Sequence, residues 1–64
     1  MSPTDRLDSI RYSLMREMDN DKIPARLLDH CWSVTHDMLK AGMGSFNAIQ
    51  EGLIYGRELQ ERMT

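Results

Sequence analysis

With a single cysteine, the chain cannot form an internal disulfide, and a lone thiol suits a reducing compartment. Cys31 and the two histidines, His30 and His36, fall short of a structural zinc set, so no metal and no cofactor are expected. No apolar run approaches the roughly 20 residues that cross a bilayer, so no membrane association is expected. The opening Met1-Ser2-Pro3-Thr4-Asp5 lacks the basic start and apolar stretch of a secretion signal, which points to a cytoplasmic location. Charge of one sign is missing too. Residues 1–22 carry four basic and five acidic side chains, residues 23–44 two of each, and residues 45–64 two basic and three acidic. Without a basic stripe there is little to neutralise a phosphate backbone, which argues against nucleic acid as a partner. Also absent are a phosphate-binding loop, a nucleophile elbow and a convergent polar constellation, so no enzyme is expected.

What is present is one domain, residues 1–64, short of core. A domain of this size buries only about 60% of the surface its unfolded chain exposes. Small scaffolds make up the deficit with disulfides, metals or partner subunits. The first two being excluded, oligomerisation remains.

The few prolines and glycines act as punctuation between three helical stretches. The first is expected over residues 4–18, with Ser2 as cap and Pro3 at the first helical position. Leu7, Ile10, Leu14 and Met18 recur at spacings of three and four, Met15 lies at the margin, and Tyr12 falls off the stripe. Asp19-Asn20-Asp21-Lys22-Ile23 reads as a turn. It opens like a calcium loop, but Pro24 stands where glycine is needed and His30 where the bidentate glutamate belongs. A second helix is expected over 24–41, begun by Pro24 and stopped at Gly42. The third, over 45–62, starts from Ser45 as cap and gathers Phe46, Ile49, Leu53, Leu59 and Met63 on one side.

Helix 24–41 is the most informative. Leu27, Leu28, Cys31, Trp32, Val34, Thr35, Met38 and Leu39 fill an arc of roughly 160° at 3.6 residues per turn. Two sister helices are few to cover that arc, and a second copy is the simplest complement. His30 and His36 point about 120° apart and cannot share a metal on one face. Cys31 sits near the centre of the arc, where a thiol behaves as a small hydrophobe, and neighbouring His30 faces elsewhere. In the third helix, Ala48, Gly52 and Gly56 make a row of small residues at intervals of four, which lets another backbone come close; the acidic and basic neighbours Glu51, Arg57 and Glu58 rule out a lipid setting.

The expected architecture is therefore an all-α bundle of three short helices, completed by homodimerisation. The expected function is that of a small regulatory or adaptor protein that binds a larger protein through an apolar helix face, as inhibitors and anti-activators do. Leu28, Trp32 and Leu39 are the first candidates for a partner or dimer interface, tryptophan being enriched at binding hot spots. Tyr12, Ile54 and Tyr55 come next, and the row Ala48, Gly52 and Gly56 offers close packing. The alternative is a helix-turn-helix-like DNA-binding regulator, because a Gly-containing joint precedes helix 45–62.

Overall fold

A computed structural model describes residues 3–63 and contains three α-helices in that span: α1 over Pro3–Asn20, α2 over Leu28–Lys40 and α3 over Ser45–Met63. No strand occurs among the described residues. Ser2, expected as the cap of α1, and the side chain of Met63 lie outside what is described.

α1 runs two residues past its expected end, taking in Asp19 and Asn20 that were expected in the turn, and the start of α2 and the role of Ser45 also differ from expectation. Pro24 does not open α2. It adopts φ −58° and ψ 139°, and a 3₁₀ turn over Ala25–Leu27 intervenes before the α-helix starts at Leu28. Its extended ψ keeps Pro24 outside the helix, and its carbonyl instead accepts the Leu27 N–H at 3.0 Å. Ser45 is already the first residue of α3, because the Gly44 carbonyl accepts the Ala48 N–H at 2.9 Å.

Both helix exits use the same device. At the end of α2, Gly42 takes φ 98°, its N–H reaches the Leu39 carbonyl and the Met43 N–H reaches the Met38 carbonyl. That is a Schellman stop, with glycine in the left-handed position it favours. At the end of α1 the same pair of bonds runs from Lys22 to Asp19 and from Ile23 to Met18. Here Lys22 holds φ 59°, a conformation that costs a side-chain-bearing residue about 1 kcal/mol. The hydrophobic pair that accompanies such a stop, Met18 and Ile23, is buried and offsets that cost.

The core is made of Ile10, Leu14 and Met18 from α1, Ile23 and Leu27 from the connection, Cys31 and Thr35 from α2, and Ala48, Ile49 and Leu53 from α3. Leu28, Trp32, Leu39 and Leu59 pack against it and stay half-buried. The α2–α3 pairing is the tightest, and glycine is the reason. A Cβ on Gly52 would clash with Thr35 Oγ1 and lie 2.8 Å from the Cys31 carbonyl oxygen; one on Gly56 would lie 2.6 Å from Cys31 Sγ. The Thr35 hydroxyl donates to the Ala48 carbonyl at 3.1 Å, so the one buried polar side chain among the described residues is satisfied.

Polar side-chain contacts help to fasten α1 and its turn to the rest. Arg57 of α3 pairs with Asp21, Gln60 donates to the Lys22 carbonyl at 3.2 Å, and Arg11 reaches Asp29 at 3.3 Å. The molecule measures 40 × 20 × 15 Å. Its longest helix, of 19 residues, spans about 28 Å, so the helices are offset along the long axis.

Candidate functional site

The expected interface residues fall into three places. Ala48, Gly52 and Gly56 are buried in the α2–α3 seam of the chain itself, against Cys31, Thr35 and Ile23. Their close approach is spent within one molecule, and they present no surface to a second copy. Leu28, Trp32 and Leu39 occupy one flank of α2, half-buried against the core. Tyr12, 62% exposed, lies on the outer side of α1; Ile54, 44% exposed, lies on the outer side of α3, with Tyr55 half-buried beside it.

The α2 flank continues onto α1. The Trp32 indole stacks on the His36 imidazole, ring centroids 5.5 Å apart and planes 18° apart. The Arg11 guanidinium stands 5.9 Å from the Trp32 ring centroid while its Nη2 donates to Asp29. A cation over an indole contributes about 0.5–1 kcal/mol at a half-exposed site. Next to this stack, Met15, Met18, Asp19, Ile23, Ala25 and Leu28 line an open cleft of about 250 Å³ between α1 and the start of α2. Met18 and Ile23 form its floor, and Met15, 46% exposed, stands at its rim.

Phe46 is the main departure from the sequence reading. Its spacing with Ile49 and Leu53 places it on the core side of α3, yet it is 72% exposed. No residue of α2 beyond Thr35 and none of α3 before Ala48 is buried, so the first turn of α3 has no neighbour able to cover an aromatic ring. Phe46, Gln50 and Ile54, at intervals of four, make a slanting row that carries two large exposed apolar side chains. The sequence holds one signal for it: Phe46 stands one residue past the Gly42-Met43-Gly44 joint and Ser45, where the helix begins and cover is thinnest.

Compared with protein-family models, curated proteins and solved structures, the chain finds no match. The site is therefore read from its own chemistry. Cys31 is fully buried, and burial pushes its thiol above the ordinary value of 9.0, because the thiolate would lose its hydration. Such a thiol stays protonated at neutral pH and is a packing group. Its ionisation also opposes folding: stability is retained below the ordinary thiol value and declines as pH climbs toward the raised one. His30 is exposed, and His36 is engaged with Trp32. Among the described residues no group of three or more His, Cys, Asp or Glu side chains could hold a metal, and no helix is long and apolar enough to cross a membrane. The first basic residue of α3 is Arg57, three turns into the helix and tied to Asp21. The leading turns that a DNA-reading helix would insert thus bring no cation to the phosphates.

Proposed function

We propose that this chain is a small, non-enzymatic, cytoplasmic regulatory or adaptor protein that works as a homodimer and binds a larger protein through an apolar helix face. The observation that carries the reading is the row Phe46–Gln50–Ile54: a phenylalanine 72% exposed and an isoleucine 44% exposed, two turns apart on one helix. A helix presents anchors at i, i+4 and i+8 to a groove in this way, and large aromatic side chains dominate the energy of such contacts. The half-buried flank of Leu28 and Trp32, with Met15 across the cleft, supports the second copy.

The docking reading is tested by capture from extracts of the native host, using the wild-type chain and the variants Phe46→Glu and Ile54→Glu side by side. Both positions are exposed, so the variants should keep the wild-type helix signal in circular dichroism. The expected result is a host protein retained by the wild type and lost from both variants. Identical sets of retained proteins from all three would count against the proposal. Light scattering on the purified chain tests the dimer, and a monomer mass at every concentration would remove it.

A further inference from the structure

We propose that Met15, and not the lone Cys31, is the redox-responsive sulfur of this chain: a hydroperoxide converts its thioether to the sulfoxide and turns the mouth of the α1–α2 cleft polar while the helices stay folded. The inference concerns the single chain and goes beyond the docking and the dimer proposed above. The sequence holds one cysteine and six methionines. By chemistry alone the cysteine should react first, because a thiolate is the stronger nucleophile. The fold reverses that order. Cys31 is 0% exposed, sealed in the α2–α3 seam where Gly52 and Gly56 pass, and its protonated thiol is a poor nucleophile. Peroxide reaches it only when α2 and α3 part. A thioether has no proton to lose, so its oxidation follows access. Met18 is 1% exposed, Met38 and Met43 are half-buried, and Met15 is 46% exposed. Met15 is therefore the one exposed sulfur-bearing side chain among the described residues.

Its place gives the reaction a consequence. Met15 stands at the rim of the cleft, whose lining is apolar apart from Asp19. It lies outside the buried core. In the reaction the Met15 sulfur lends a lone pair to the terminal oxygen of the hydroperoxide. An S–O bond forms, the O–O bond breaks, and water or an alcohol leaves with the proton. The sulfur is oxidised by two electrons and the peroxide is reduced by two. A flexible apolar side chain thereby becomes a polar one with a strong acceptor oxygen. The floor of the cleft, Met18 and Ile23, is buried and keeps its apolar packing. The change is thus confined to the mouth, opposite Leu28, and the helices lose no core contact. Methionine sulfoxide reductases, one for each epimer, return the oxygen to water and restore the thioether.

Dilute hydrogen peroxide acting on the full-length chain at about pH 6, where little thiol ionises, tests the order of reaction. Trypsin then separates the sulfurs: residues 12–16 carry Met15, residues 17–22 Met18, residues 27–40 Cys31 and Met38, and residues 41–57 Met43. Peptide 12–16 should gain one oxygen at least about tenfold faster than peptide 17–22, and ahead of peptides 27–40 and 41–57. The chain oxidised at Met15 should keep its helix signal in circular dichroism. Its amide resonances should shift around the cleft and not along the α2–α3 seam, and the two reductases together should restore the original spectrum. Met15→Leu keeps an apolar, helix-favouring side chain at an exposed position, so it should fold as the wild type does and lose the first oxidation. Oxygen arriving first on any of the other three peptides overturns the inference. So does a loss of helix signal, or a shift of the seam resonances, when Met15 alone is oxidised.

Discussion

The two ends of the molecule are built to different standards. Where α1 ends, three layers meet: Leu14 and Met18 from α1, Ile23 and Leu27 from the connection, and Leu53 with Gly56 from α3 are all buried. Arg57–Asp21 and Gln60–Lys22 close the surface over them. At the α2–α3 joint only half-cover is available. Val34, Met38, Leu39 and Met43 are half-buried, and Phe46 projects into water. Apolar supply does not distinguish the ends, because each carries methionines and branched side chains. What distinguishes them is the number of elements that converge, and burial follows from that number.

Truncation on either side gives the widest contrast. Leu14→Ala opens a cavity at a fully buried position and should cost about 3 kcal/mol. For a chain whose whole stability is about 3–10 kcal/mol, that change should leave much of the population unfolded in a urea melt. Leu39→Ala removes a half-buried side chain and should cost about 1 kcal/mol. Equal losses would mean that the two ends are equally packed.

Gly52→Ala probes the seam between them. The new methyl meets the Cys31 backbone carbonyl, which cannot rotate away, so a net loss of about 2 kcal/mol is expected in spite of the better helix propensity of alanine. Unchanged or raised stability would show that α2 and α3 can part without penalty. A smaller effect is expected from Thr35→Val, which keeps the shape and removes the hydroxyl bond to the Ala48 carbonyl. About 1 kcal/mol should be lost, together with faster hydrogen exchange in the first turns of α3. The least costly change is Arg57→Gln. The Arg57 and Asp21 side chains keep 49% and 29% of their surface in water, so the pair should contribute about 0.5 kcal/mol, and less in high salt. A loss that salt does not alter would point to packing by the Arg57 stem rather than to charge.

Much of the architecture could be read from residue order, because each helix is bracketed by a residue with a stereochemical reason to be there. Gly42 marks the end of α2 so clearly that its left-handed conformation is what such a position requires. Lys22 holds the same conformation with no such mark, since nothing about lysine announces a left-handed turn; only the Met18–Ile23 pair around it hints at one. Pro24 shows a related limit. Proline suits a helix start, but its extended ψ delays the α-helix to Leu28. The site was less legible than the fold. The intervals Ala48, Gly52, Gly56 announce close approach without saying to which helix, and the answer is α2 of the same chain. Periodicity assigns Phe46 to the core side because it counts angle around an axis; it cannot register where the neighbouring helices stop.

The clasp by which Arg57 and Gln60 hold the turn at Asp21 and Lys22 has a consequence for birth order. The groups that pin that turn lie 36 and 38 residues after it and are synthesised long after the first helix. The seam against Cys31 likewise waits for Gly52 and Gly56. A nascent chain that has emerged only as far as Gly44 holds the contacts of Arg11 with Asp29 and Trp32 but neither the seam nor the clasp. The seam and the clasp therefore close only once the residues from Gly52 to Gln60 have been made.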